Sequence, residues 1–134
     1  MQPSGRHYDP WRHADELGLR VLLADLDWAN ELWLPDRRLI LLKRSMRPAH
    51  QRNALAHGIG HAVLGHRDDR PKHERQADRY AARRLIDPAE LRAVQAWTQD
   101  PGHIAAELGV TRRLLLAYWS DRTVATGSPA AATP

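Results

Sequence analysis

The chain has 134 residues, a formal net charge of +4, eight histidines and no cysteine. Disulfides, thiolate zinc sites and cysteine nucleophiles are therefore excluded, and the length suits one domain with a core of its own. No run approaches the roughly 18 apolar residues of a membrane span, and Met1–Tyr8 lacks the apolar stretch of a secretory signal, so a soluble cytoplasmic protein without membrane contact is expected.

Asp9-Pro10, Asp87-Pro88 and Asp100-Pro101 each predict a helix start. The carboxylate accepts free backbone N–H groups of the first turn, and proline loses nothing at the first helical position. The first helix is predicted from Pro10 to about Leu17, stopping at Gly18. A strand follows over Leu19–Ala24. Glu31–Leu34 and Arg38–Lys43 flank Pro35-Asp36-Arg37 and predict a β-hairpin. Helices are then expected over Pro48–Leu64, ended by Gly65, over Pro71–Ile86, and from Pro88 to about Trp97. Two short ones follow, Pro101–Leu108 and Arg112–Asp121. The tail 123–134 is Ala, Thr, Pro, Ser and Gly and reads as disordered. The order gives an α+β domain over residues 1–122, with a small antiparallel three-stranded sheet and C-terminal helices.

His57 and His61 lie four apart in the long helix, one turn apart on one side of it. Two neutral imidazoles so placed can bind a divalent cation, zinc above all. On the helical wheel Leu55, Ile59, Ala62 and Val63 form the opposite, core-facing side. The pair alone also fits two ordinary surface histidines. The next helix adds weight. Glu74 and Asp78 share a face with Ala77, Ala81 and Leu85, whereas Arg75, Arg79 and Arg83 cluster away from it. Carboxylates on a core side need partners, because desolvating them costs several kcal/mol, of order 2–7. A metal on Glu74 and a histidine N–H donated to Asp78 would satisfy both. Pairing with arginines such as Arg52 or Arg84 is the alternative.

The stretch from Asn53 to His66, with Ala56-His57-Gly58-Ile59-Gly60-His61 at its centre, resembles the active-site helix of the ImmA/IrrE family of metallopeptidases. Glu74-Arg75-Gln76-Ala77-Asp78 onward, to Asp87-Pro88, is similar to that family's following helix. The likeness spans roughly Tyr8 to Trp119. It implies a zincin-like helical core, zinc held by His57, His61 and Glu74, and Asp78 as the carboxylate behind a ligating histidine. Family members act on helix-turn-helix repressors, relieving repression in phages and mobile elements, so such a repressor is the expected partner.

The family motif is His-Glu-x-x-His, but Gly58 stands where the glutamate belongs. That glutamate takes a proton from the attacking water and gives it to the leaving amine. Its loss typically costs about 10²–10⁴ in rate. His66 and Tyr80 are candidates to substitute, though their spacing places neither at the water. Mid-helix glycine also costs roughly 0.8–1 kcal/mol relative to alanine. Gly60 can be read as room for the carboxylate helix, whereas no such need is evident at Gly58. Gly58→Glu is then the expected route to a gain of cleavage.

Residues 101–122, with Gly109-Val110-Thr111 between two helices and Arg112-Arg113 after the turn, have the outline of a helix-turn-helix corner. Leu114, Leu115, Leu116, Tyr118 and Trp119 leave little polar surface for DNA, so packing on the core is expected over DNA binding. His66 is expected to order the end of its helix. His7, His13, His50, His73 and His103 are expected at the surface. Trp28 and Trp33, flanking Asn30-Glu31, are expected in core or hairpin packing rather than lining a groove. Arg67–Arg70 reads as a solvated loop. Two functions remain: a zinc endopeptidase impaired at Gly58, or a pseudopeptidase that binds and regulates its partner without cleavage.

Overall fold

The computed structural model describes residues 4–121; the tail expected to be disordered lies outside them. The Asp-Pro pairs start helices as the sequence predicts. Asp9 accepts the N–H groups of Trp11 and Arg12 at the head of α1 (Pro10–Glu16). Asp87 caps α4 (Pro88–Gln95) through Glu90 N–H, and Asp100 caps α5 (Pro101–Leu108) through His103 N–H. Between them lie β1 (Arg20–Ala24), β2 (Glu31–Leu34), β3 (Leu39–Lys43), α2 (Pro48–Val63) and α3 (Pro71–Leu85), and α6 (Arg112–Ser120) closes the series. Helix ends differ from the predicted ones by a residue or two, as frayed last turns do.

The α+β class holds, but the sheet is mixed rather than antiparallel, with strand order β1-β3-β2. β2 and β3 form the expected antiparallel hairpin, with Glu31 opposite Leu42 and Trp33 opposite Ile40. β1 pairs with the other side of β3 in parallel, Arg20 opposite Leu39 and Ala24 opposite Lys43. The reason is where the apolar residues are. β3 buries Leu39, Ile40 and Leu42 and takes the centre, while β1 and β2 bury no residue fully and form the edges. The chain therefore crosses from β1 to the far edge before returning through the middle.

α2 lies between two apolar clusters. On one side Leu55 and Ile59 meet Ile40, Leu42, Ala14 and Leu19. On the other Ala56 meets Ala81, Leu85 and residues of α4, α5 and α6. Every residue from Leu55 to His61 is consequently buried. The single core face predicted for this helix is corrected on two points. Val63 is 47% exposed, and His57 and His61, expected off the apolar face, are buried as well. A helix covered on both sides has no solvent face for a wheel to find.

The C-terminal corner packs inward. Leu114, Leu115 and Tyr118 of α6 are buried. Asn53 of α2 fastens the turn, donating to the carbonyls of Ala49 and Gly109 and accepting from Thr111 N–H at 3.2 Å. Gly109 ends α5 at φ 72°, a conformation glycine adopts without a Cβ clash. Among the described residues no helix is long and apolar enough to cross a membrane.

Candidate metal site

α2 and α3 approach closely enough for their side chains to share one site. Gly60 makes this possible, since a Cβ there would stand 3.1 Å from the Ala77 carbonyl oxygen. The room read into Gly60 is used as expected. Three of the four predicted site side chains then converge. His57 Nε2 and His61 Nε2 are 3.1 Å apart. The Glu74 carboxylate reaches both, Oε2 lying 2.7 Å from His57 Nε2 and Oε1 3.1 Å from His61 Nε2. The fourth, Asp78, lies behind them, with Oδ1 2.8 Å from His57 Nδ1. The angle of that contact is not that of a well-aligned hydrogen bond. The arginine pairing weighed as the alternative holds for Asp78, but through neither Arg52 nor Arg84. Arg52 donates to the carbonyls of Gly5 and Tyr8, and Arg84 stacks over Tyr80. Asp78 meets Arg113 instead, at 3.3 Å.

His61 has its own support, one that sequence spacing only hinted at. Its Nδ1 is 2.9 Å from Nδ1 of the buried His66, whose Nε2 is 2.8 Å from Gln76 Oε1. One proton arrangement satisfies the whole chain. His61 Nδ1–H donates to His66, His66 Nε2–H donates to Gln76, and His61 Nε2 keeps its lone pair for a cation. Trp33 Nε1–H donates to the His66 carbonyl at 3.0 Å; this tryptophan packs against the core as expected, but it also lines the cleft, contrary to the expectation. His66 also stacks on His73, with ring centroids 4.0 Å apart. Two surface expectations and one packing expectation are corrected. His13 is buried against the Tyr8 hydroxyl, His73 is half-buried, and Trp28 is 78% exposed on the rim of the cleft. Each is a tertiary contact, or the lack of one, that spacing does not encode.

Sequence reasoning missed Glu31. From the start of edge strand β2 it enters the same cleft, an opening of about 640 Å³ that His57, His61, Glu74 and Trp28 also line. One ligand atom each from Glu31, His57 and His61 lie within 4.8 Å of one another. The residue as a whole is half-buried, but its carboxyl end is deep, and that burial pushes its pKa up to about 7 against the pull of His57. Glu31 also bears on Gly58. A Cβ at position 58 would lie 3.1 Å from Ile40 Cγ2 and 3.2 Å from Glu31 Cγ. Gly58 is thus a site of close approach, contrary to the reading that nothing there requires a glycine. The only signal for this in the sequence was an acidic residue opening an apolar strand between two tryptophans.

The electrostatics suit a cation. Burial disfavours the charged His57, yet contacts with Asp78 and Glu74 outweigh it and push its pKa up to about 9. Burial, with the neighbouring His57 charge, takes His61 down to about 4. The bond from His57 holds Glu74 below the usual carboxylate range, burial opposing it. The two ring nitrogens face each other at 3.1 Å, a contact that needs a positive centre between them, filled by the His57 proton or by a metal that displaces it. Ligands about 2 Å from a tetrahedral zinc lie roughly 3.3 Å from one another. The separations of 2.7–3.1 Å among His57, His61 and Glu74 are close to that. Nitrogen and carboxylate oxygen donors are also the types zinc accepts, so the residues present fit the ion.

Compared with known families, residues 14–120 match the model of the IrrE N-terminal-like domain, a peptidase family designated M78. A search of curated proteins returned no match.

Proposed function

Since the chain belongs to the M78 peptidase family of IrrE N-terminal-like domains, we propose that it binds zinc and acts in the cytoplasm on a helix-turn-helix transcriptional repressor. The fold is that of a zinc metallopeptidase. The observation that carries the zinc reading is the convergence of His57, His61 and Glu74 within 3.1 Å of one another, from two consecutive helices. These three residues would hold the metal. Bound zinc would polarise the scissile carbonyl and make water acidic enough to serve as a nucleophile near neutral pH.

The remaining residues prepare that site. His66 with Gln76 bonds the far nitrogen of His61 and favours the tautomer that presents Nε2, while the Asp78 carboxylate stands 2.8 Å from the far nitrogen of His57 as an ion-pair contact. A peptide segment in the cleft would lie along β2, with the exposed Trp28 face offering an apolar contact and Arg113 a cation. The second reading, regulation by binding without cleavage, is favoured by one observation: α2 carries no carboxylate at Gly58. A repressor partner is the element of the proposal that rests on family likeness alone.

The test has two parts. Purified protein should carry about one equivalent of zinc, and His61→Ala should lose it; full retention would overturn the ligand assignment. A helix-turn-helix repressor encoded beside this chain should be cut by the zinc form. If it is bound intact, the binding reading stands. If it is neither cut nor bound, the repressor is the wrong partner.

A further inference from the structure

The helix lacks a carboxylate beside His57, but the site does not. Glu31 Cγ lies 3.2 Å from the point a Cβ on Gly58 would occupy, and Ile40 closes the remaining space. Any side chain at position 58 would have to share that space with Glu31. The Glu31 carboxylate faces the histidine pair, with one oxygen within 4.8 Å of a ring nitrogen of each. It makes no hydrogen bond or ion pair among the described residues. Glu74, by contrast, is bonded to both histidines, and Asp78 contacts both His57 and Arg113. A carboxylate drawn into a cleft with no hydrogen bond, and only the longer-range attraction of His57 and Arg113, is costly unless something in the cleft takes it up.

Two roles are open to such a group, ligand or proton carrier, and the distances separate them. His57, His61 and Glu74 already form a set of three donors, which is the number a catalytic zinc takes from the protein while keeping one position open. Glu31 stands one step further out, at a separation that a water molecule bridges.

We propose that Glu31, supplied by edge strand β2, is the acid–base carboxylate of this site and takes the part that position 58 of the helix cannot. The inference rests on the metallopeptidase reading above. In the step it serves, the water oxygen bonds to the scissile carbonyl carbon and the water proton passes to Glu31. Glu31 gives that proton to the amide nitrogen as the C–N bond breaks. One water is consumed, an acid and an amine are released, and the carboxylate returns to its starting state. Gly58 is then the complement of Glu31: the helix gives up a side chain so that the strand can insert one.

The experiment compares full-length wild type with Glu31→Gln, using zinc alone and acetohydroxamate as probes. Acetohydroxamate sheds a proton as it chelates zinc, and a neighbouring carboxylate accepts it. Glu31→Gln should keep about one equivalent of zinc, with affinity close to wild type. Its acetohydroxamate Kd should rise roughly tenfold to a hundredfold, the worth of a charged hydrogen bond. Acetohydroxamate affinity equal to wild type overturns the proposal. So does loss of zinc to the extent seen in His61→Ala, which makes Glu31 a ligand. Wild-type protein that takes up no zinc overturns the metal reading, and this proposal with it.

Discussion

Gly60 of α2 and Ala77 of α3 meet backbone to backbone. A Cβ on Gly60 would stand 3.1 Å from the Ala77 carbonyl oxygen and 3.2 Å from its Cα. Main chain cannot swing aside as a side chain can, so Gly60→Ala must push the two helices apart. Alanine returns about 1 kcal/mol of helix propensity, but overpacking costs about 1–3 kcal/mol. A net loss of up to about 2 kcal/mol is expected in urea unfolding. Because Glu74 rides on α3, zinc affinity should fall in the same variant. Unchanged stability together with unchanged zinc binding would mean the helices do not meet this way.

Position 58 should respond differently, because its neighbours are side chains. Ile40 is fully buried in the central strand and can give only by a few tenths of an ångström, whereas the Glu31 stem can turn, and neither contact is with main chain. Gly58→Ala is therefore expected to cost less than Gly60→Ala, under about 1 kcal/mol. Gly58→Glu brings a second carboxylate onto Glu31, so the melting temperature should drop and cleavage should not improve. This reverses the gain that the motif alone suggests. A Gly58→Glu protein that cleaves faster with Glu31 in place would contradict it.

The groups behind the histidines should matter to the metal without touching it. Asp78→Ala removes the contact at His57 Nδ1, and His66→Ala removes the one at His61 Nδ1. Each is expected to weaken zinc binding about 10–100-fold, measured by competition with a chromogenic chelator. Gln76→Ala, one bond further away, should do less. Zinc affinity unchanged in both Asp78→Ala and His66→Ala would show that the ring orientations need no such help.

Acid stability should carry a signature of His13. Burial, assisted by the Arg84 charge, lowers its pKa below the ordinary 6.5. Below pH 6.5 the unfolded chain therefore takes up a proton that the folded one refuses. Stability present above that pH is lost as the solution is acidified. His13→Gln cannot be protonated, so it should lose less stability than wild type between pH 7 and pH 5. Parallel acid-side stability curves for the two proteins would place His13 in an ordinary environment.

Much of the fold was legible because its signals are local. The Asp-Pro caps depend on two adjacent residues and a turn of helix, and His57, His61, Glu74 and Asp78 lie on two consecutive helices at helical spacing. What was not legible depends on elements distant in sequence. β1 and β3 have the same apolar character whichever way they pair, so the parallel arrangement is set by tertiary packing. Glu31 reaches the site only because β2 is the edge strand beside α2, which no spacing in the chain records. The burial of His13 by Tyr8 and the exposure of Trp28 follow from the same kind of long-range placement.

The enclosure of α2 has a kinetic consequence. Its backbone from Leu55 to His61 is covered by the sheet on one side and by helices on the other. Amides in such a segment are expected to exchange with solvent deuterium mainly through global opening, and those of the exposed 67–69 stretch far faster. His57 and His61 thus sit on the part of the chain that is slowest to open. Their alignment is fixed by folding itself, and a cation arriving at the site would find it already assembled.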